Sequence, residues 1–203
     1  MNKTTQPIRK QSEIDKLSSY FWNKNLRDYA LFIFGIHTGR RISDLMSLNV
    51  RDVAYIDKKS RFCISERLKI HEKKTGKFAD LVIHPSARRA LSKYLRQRRK
   101  KAVSMGAILN EPLFKSQRAR RDGQYRITRR HALRILSNAA KTCGLEYKIG
   151  THSLRKTFGY MLYMNDTSIE IIQRLLNHSS PAVTLAYIGI TQDDMDEAIL
   201  SLN

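Results

Sequence analysis

The sequence predicts an α+β fold that is mostly α-helical and carries one small three-stranded antiparallel sheet. Apolar residues recur at helical spacing through most of the 203-residue chain, whereas residues 53–84 show alternation and turn signals instead. The chain has no internal repeat and no low-complexity linker. We therefore expect one domain with a real core.

Three helices are predicted in the N-terminal part of the chain. Ser12, which is followed by two acidic residues, is a typical helix start. A second, strongly apolar helix is expected from about Leu26 to His37, and Gly39 ends it. A short amphipathic helix follows, with these apolar residues on one side: Ile42, Leu45, Met46 and Leu48.

Residues 53–84 are predicted to form a three-stranded meander. Turns at Asp57-Lys58 and at Thr75-Gly76 separate three apolar runs. The middle run alternates between Phe62 and Ile70, as a half-buried strand does.

The remaining chain is predicted to be helical apart from a basic loop at residues 115–126. Pro85 opens a helix to about Val103. Thr128 caps the next one. The later helices are expected at about 152–165, 168–176, from Pro181 onward, and at 193–202.

The charge indicates a polyanionic partner. Lys and Arg number 38 against 18 for Asp and Glu, a net charge of +20. Nucleic acid is the first expectation and an anionic membrane surface the second. Residues 165–203 hold one base and six acids, so the basic body is expected to face the polyanion and the acidic end to face protein.

The sequence disfavours membrane-spanning, exported and cofactor-dependent proteins. No run of about 18 apolar residues exists, so no membrane span is expected. The start of the chain lacks a signal-peptide core, and Cys63 and Cys143 have neither metal nor disulfide spacing, which favours the cytoplasm. No phosphate-binding loop and no His-Glu-x-x-His motif is present, so neither a nucleotide nor a metal cofactor is expected.

Five short motifs carry chemistry. In chain order they span 38–45, 73–77, 151–155, 175–179 and 184–187, or TGRRISDL, KKTGK, THSLR, LLNHS and TLAY. In this order and spacing the chain resembles the tyrosine recombinases, the family of the phage integrases, over nearly all of residues 10–190. The resemblance implies the catalytic fold of these DNA breaking-rejoining enzymes, with double-stranded DNA as partner and no cofactor.

Two arginines suit the charge that develops on a phosphodiester under attack. Fixed guanidiniums stabilise non-bridging oxygens through bidentate hydrogen bonds and need no metal. Arg41 and Arg155 are the candidates. The family pattern puts the catalytic arginine directly before an aliphatic residue, which selects Arg41 over Arg40.

The resemblance assigns the other catalytic roles. Tyr187 is the nucleophile that forms a 3′-phosphotyrosyl bond, and His152, three residues before Arg155, accepts or stabilises its proton. His178 contacts the scissile phosphate. Asn177 stands where the family usually has glycine, but asparagine also tolerates the left-handed conformation.

The predicted hairpin carries the general acid. By resemblance Lys74 protonates the departing 5′ oxygen, although Lys73 and Lys77 are close by and the assignment among them is open. Asp44, where the family has an acidic residue, is expected to orient a catalytic group.

Exposed basic residues should contact phosphates and supply affinity more than sequence choice. The candidates are Arg88, Arg89, Lys93, Arg96, Arg118, Arg120, Arg121, Arg126, Arg129 and Arg130.

The domain prediction is one catalytic domain over residues 1–203, without the separate N-terminal DNA-clamping domain of most family members. Self-association on DNA, as a tetrameric synapse, is expected. The tail at 191–203 either passes to a neighbouring protomer or packs on its own chain.

Three alternatives stay open. A type IB topoisomerase would share the chemistry but relax DNA without choosing a site. A regulator on the same fold would bind DNA without cleaving it. A basic RNA-binding protein would have no special use for Tyr187, and its usual aromatic stacking motif is absent.

Overall fold

A computed structural model gives the fold of the chain. It describes residues 5–100, 106–119, 123, 125–190, 194, 196, 199, 200 and 202. The helices are α1 Gln11–Lys24, α2 Leu26–Thr38, α3 Ile42–Ser47, α4 Pro85–Arg99, α5 Arg129–Thr142, α6 Thr151–Tyr163, α7 Ile169–Leu176 and α8 Pro181–Ile188. The strands are β1 Ala54–Ile56, β2 Phe62–Ile64, β3 Arg67–His71 and β4 Phe78–Val82. The α+β class is confirmed.

Helix α2 is the centre of the core. It packs against α1, α4 and α6, and nine of its 13 residues are buried. The side chain of Asn25 caps its start by accepting from the N–H of Arg27 at 2.9 Å. Gly39 ends it in the left-handed conformation, with φ 60°, as predicted. The catalytic candidates that follow Gly39 are thus attached to a helix of the buried core.

The strands form two separate hairpins, so the predicted three-stranded sheet is wrong. Strand β2 pairs with β1, and β3 pairs with β4. The predicted middle strand breaks at Ser65 and Glu66, where the backbone changes partner: Ser65 N–H donates to the carbonyl of Val53, and Glu66 accepts from the N–H of Ile83. The break leaves the β3–β4 hairpin to carry residues 72–77 independently.

Two helix starts follow the predicted signals, whereas α1 begins at Gln11, before the predicted Ser12, and its N-cap residue Lys10 makes no side-chain capping bond. Helix α4 begins at Pro85, and Thr128 Oγ1 caps α5 by accepting from the N–H of His131 at 3.1 Å. The predicted end of α4 at Val103 and half of the predicted helix at 193–202 lie outside the described residues. Among the described helices, none is long and apolar enough to cross a bilayer.

Helices α6, α7 and α8 meet around a second, smaller apolar cluster. Its buried residues are Ile172, Leu176 and Ile188. Gly159 on α6 lets these helices approach closely, because a Cβ there would lie 2.6 Å from Ile188 Cγ2. This packing holds the segments after α7 and along α8 against the start of α6.

The N-terminal segment also reaches this cluster. The N–H of Ile8 donates to Thr157 Oγ1 on α6 at 2.8 Å. The guanidinium of Arg9 donates to the carbonyl of Gly189, just after α8, and pairs with Asp194 at 3.0 Å. Residues from both ends of the described chain therefore hold α8 in place.

Candidate active site

Arg155 is the buried centre of the candidate site. It is 3% exposed on α6. Its Nη1 donates to the carbonyl of Gly39 at 2.7 Å, and its Nη2 donates to the carbonyl of Leu176. Burial lowers the pKa of Arg155 to about 10, so it still carries its charge at neutral pH. One guanidinium thus joins the ends of α2 and α7 beside the predicted catalytic residues.

The two consecutive arginines have different environments. Arg40 is 2% exposed and donates to the carbonyls of Thr38 and Leu175 as well as to a carboxylate. The side chain of Arg41 remains 21% exposed and donates to the same carboxylate through Nη1 alone. Arg40 is built into the protein interior, and Arg41 keeps free donors for a ligand.

His178 and Tyr187 lie against each other. Their rings meet edge to face, with centroids 4.8 Å apart, and His178 Nδ1 lies 3.2 Å from Thr184 Oγ1. Asn177, with φ 50°, makes the left-handed turn that aims His178 at α8. Burial, together with the charges of Arg155 and Arg41, lowers the pKa of His178 to about 4. The ring is therefore neutral at physiological pH.

Tyr187 is partly buried beside several cations. Burial raises its pKa, and the charges of Arg155 and Arg41, with a hydrogen bond to Arg155, oppose that shift without cancelling it. Lys156 Nζ lies 5.4 Å from the centre of the ring. The phenol is protonated at neutral pH and needs an acceptor for its proton before it can attack a phosphate.

His152 lies in the first turn of α6. Burial, and after it the charges of Arg129, Lys156, Arg155 and Arg41, lower its pKa. Its Nε2 lies 3.4 Å from Nη2 of Arg129, at the start of α5. A histidine held neutral in this way can act as a proton acceptor.

Lys74 is exposed in the turn between β3 and β4. Asp44 anchors this turn, since its Oδ1 accepts from the N–H of Lys73 at 3.0 Å. The other oxygen, Oδ2, is buried and has no hydrogen-bond partner in the described structure. Asp44 is thus placed to orient the lysine turn. Lys73 and Lys77 are exposed in the same turn, so the assignment to Lys74 stays a prediction.

Most of the predicted phosphate contacts are exposed on the surface. Arg89, Arg96, Arg118 and Arg130 are exposed, and Lys93 places its Nζ 5.1 Å from the ring of Trp22. Arg88 is partly exposed and lies 3.5 Å from Glu66. Arg120 and Arg121 lie outside the described residues.

Arg126 has a structural environment that its sequence does not reveal. Its guanidinium donates to the carbonyls of Met46, Ser47 and Leu48 and to the side chain of Asn49. These contacts satisfy the C-terminal carbonyls of α3 and occupy Nη1 and part of Nη2. They indicate that Arg126 holds α3, and its assignment as a DNA contact stays a prediction.

Sequence reasoning missed Glu72, the carboxylate that both Arg40 and Arg41 contact. It also missed Lys156 beside Tyr187, and placed Arg129 on the DNA surface without its contact to His152. Only tertiary folding creates these contacts, so no local motif marks them. Within the described ranges, no group of three His, Cys, Asp or Glu side chains is placed to hold a metal ion.

Solved structures share this fold. The crystal structure of XerA recombinase matches with a TM-score of 0.72 and 23% identity, covering 98% of this chain and 64% of that one. A post-cleavage complex of XerH site-specific recombinase bound to palindromic difH substrate matches with a TM-score of 0.71 and 19% identity, covering 98% and 53%. At these identities the likeness concerns the fold.

Sequence relatives carry the family assignment. A probable integrase/recombinase, YoeC, of Bacillus subtilis (strain 168) is 44% identical over 188 residues, 93% of this chain and 91% of YoeC. The tyrosine recombinase XerC of Thermodesulfovibrio yellowstonii is 34% identical over 166 residues, so the match covers 81% of this chain but only 50% of that protein. The phage integrase family model matches residues 9–193. The chain therefore belongs to the phage integrase family of tyrosine recombinases, which are enzymes of DNA strand exchange.

Proposed function

We propose that the chain is the catalytic domain of a site-specific recombinase that cleaves and rejoins DNA through a 3′-phosphotyrosyl bond to Tyr187. The observation that carries the proposal is the convergence of Arg41, Arg155, His178 and Tyr187 from four separate segments. A chance surface cluster would not bury an arginine between two backbone carbonyls next to a tyrosine.

The two arginines stabilise the negative charge that develops on the phosphate. Arg155 is fixed by its carbonyl contacts, and Arg41 is fixed on one side by Glu72. Their remaining N–H donors bind the two non-bridging oxygens, where negative charge grows during attack. Neutral His178 adds a donor from the side of the nucleophile. With this charge available from side chains, the proposed reaction uses neither a divalent metal nor ATP.

Proton transfers complete the cleavage step. The oxygen of Tyr187 bonds to phosphorus as the bond from phosphorus to the 5′ oxygen breaks, and the phosphate passes to the tyrosine. His152 accepts the phenolic proton, and Lys74 gives a proton to the departing 5′ oxygen. Rejoining is the reverse, with a 5′ hydroxyl of either strand as the attacking group. The energy of the DNA backbone bond is kept in the tyrosyl ester.

DNA binding is proposed to use the exposed basic residues around the site. The chain spans about half the length of the XerC relative, so the activity and partners of a whole recombinase are part of this proposal. A tetrameric synapse on DNA in the bacterial nucleoid, with exchange of residues 191–203 between protomers, completes it. Most of that tail lies outside the described residues.

The experiment traps the covalent intermediate. The protein is mixed, without metal, with duplexes nicked beside candidate cleavage phosphates, taken from DNA that flanks the source locus. The short product diffuses away after cleavage and prevents rejoining. We expect a protein band carrying DNA on a denaturing gel.

Tyr187→Phe should abolish this band. Tyr163→Phe, at an exposed tyrosine on α6, is the matched control and should retain it. Tight DNA binding without any covalent band, across all fragments, would reject the proposal in favour of a non-catalytic DNA-binding protein.

A further inference from the structure

Glu72 is a buried carboxylate at the base of the hairpin turn that carries Lys74. Its side chain is 0% exposed. Oε1 accepts from Arg40 Nη1 at 2.7 Å, and Oε2 accepts from Arg41 Nη1 at 2.6 Å and from Thr75 Oγ1 at 2.8 Å. These donors come from the predicted catalytic arginine, its neighbour and the lysine turn, and the side chain of Asn177 at the end of α7 adds a further hydrogen bond.

The backbone of Glu72 also closes the lysine turn. Its N–H donates to the carbonyl of Lys77 at 2.9 Å, and its carbonyl accepts from the N–H of Gly76 at 2.8 Å. The same residue therefore fixes the turn through its main chain and Arg41 through its side chain. A shift of the turn would therefore move the guanidinium of Arg41, and a shift of that guanidinium would move the turn.

Hydrogen bonds from Thr75 and Arg41, together with the charge of Arg40, keep this carboxylate charged. An unpaired carboxylate at such a depth would take up a proton rather than stay ionised. Burial alone would raise the pKa of Glu72, but hydrogen bonds from Thr75 and Arg41 and the charge of Arg40 lower it overall. Arg40 is itself held by the carbonyls of Thr38 and Leu175. The ionised carboxylate is thus part of the resting protein.

We propose that Glu72 is a positioning residue for strand cleavage, which holds Arg41 and the Lys74 turn in one arrangement so that both reach the same phosphodiester. The inference rests on the proposed function and adds a residue to it. Glu72 does not touch the DNA in this arrangement. One N–H of Arg41 is used by Glu72, and the others remain for the phosphate.

The test compares single-turnover cleavage of the nicked duplex by the wild type and by Glu72→Gln. Loss of the charged contact frees both the guanidinium and the turn, and misplacement of this kind costs roughly 10²-fold in rate. Glu66→Gln is the matched control, because Glu66 lies on the same hairpin but is exposed and pairs only with Arg88. It should cleave at the wild-type rate.

A sulfur substrate separates positioning from general damage. When sulfur replaces the bridging 5′ oxygen, the leaving thiolate needs no proton, because a thiol is far more acidic than an alcohol. A defect that acts through Lys74 should then shrink by about tenfold or more, since general acid catalysis contributes about 10²–10⁴-fold. An equal defect on both substrates would overturn the proposed link to the hairpin.

Two further variants protect the test from a folding defect. Arg40→Met combined with Glu72→Gln removes both buried charges, and thermal unfolding followed by circular dichroism checks its fold. Thr75→Val removes one donor to Glu72 without changing any charge. Both variants should cleave the ordinary substrate more slowly than the wild type and should recover on the sulfur substrate. The loss of rate should be smaller in Thr75→Val than in the double variant.

The outcomes distinguish this inference from the proposed function. A wild-type protein that forms no Tyr187-dependent adduct would reject both. A wild-type protein that forms the adduct, with Glu72→Gln and Thr75→Val cleaving at its rate, would reject the role of Glu72 alone.

Discussion

Nη2 of Arg129 lies 3.4 Å from Nε2 of His152, although the two residues begin different helices. After burial, the charge of Arg129 is the largest influence that lowers the pKa of His152. The start of α5 therefore controls the protonation of a residue on α6. Burial and, after it, a residue that sequence analysis placed among the DNA contacts lower the pKa of the proposed proton acceptor.

Arg129→Gln should shift the pH dependence of cleavage. Without the nearby cation the pKa of His152 rises, so the base becomes protonated at a higher pH. The acidic limb of the cleavage profile should move to higher pH, which single-turnover rates between about pH 5 and 8 would measure. Arg130→Gln removes the same charge from an adjacent exposed position and should leave the limb in place. Identical shifts in both variants would mean that only the net charge matters.

Gly39→Ala should destabilise the fold. Gly39 has φ 60°, and a Cβ there would overlap the ring of Phe158, with Cε1 2.8 Å away. The left-handed strain and the overlap together should lower the free energy of unfolding by about 3 kcal/mol, measured by urea denaturation. Gly144→Ala has a similar φ of 70° but open space around it, and should cost about 1 kcal/mol. Equal losses would show that the Phe158 contact adds nothing.

Arg126 and Arg130 should respond to substitution in opposite ways. Arg126→Met leaves the carbonyls at the end of α3 without a donor and should cost about 2 kcal/mol of folding stability. Arg130→Gln should leave stability unchanged and reduce the salt dependence of DNA binding by about one phosphate contact. The measurements are urea unfolding and binding titrations at several salt concentrations. A salt slope that falls in Arg126→Met and not in Arg130→Gln would reverse the assignment.

His178 should make the fold sensitive to acid. Its pKa is about 4 in the folded protein and 6.5 as the ordinary value, so the unfolded chain binds the extra proton first as the pH falls. Stability is therefore lost as the pH falls from about 6.5 toward 4. Between pH 7 and 5 His178→Gln should remove about 1–2 kcal/mol of this loss. An unchanged pH dependence of urea unfolding in His178→Gln would contradict the shift.

Local signals in the sequence were enough for most helix boundaries, whereas the resemblance to the tyrosine recombinases singled out the candidate nucleophile, whose role stays a prediction. Thr128, Pro85 and Gly39 mark helix ends through side-chain capping, a fixed φ or a free left-handed φ, which are properties of single residues. The spacing of His178 and Tyr187 places both beside one short helix. These features depend on residues that are close in the chain, so they can be predicted from the sequence alone.

The features that sequence analysis missed depend on distant partners. Glu72 follows an ordinary hairpin strand, and its burial is possible only because Arg40 and Arg41 lie against it, 32 and 31 residues away. Arg126 finds its carbonyl partners about 80 residues away. The break between β2 and β3 is hard to see because the apolar residues on its two sides keep the same alternation, which only Glu66 interrupts. In each case the deciding contact has no local signature.

The hydrogen bond from Arg9 to the carbonyl of Gly189 can form only after residue 189 has been synthesised. The two residues are 180 positions apart, and Ile8 and Thr157 are 149 apart. At a translation rate of roughly 5–20 residues per second, about ten seconds or more pass between the synthesis of Arg9 and that of Gly189. The contacts of α2 with α1 and α4 can therefore form before α6 and α8 have been made. The segment with Tyr187 is fixed last, so under the proposed function cleavage becomes possible only at that stage.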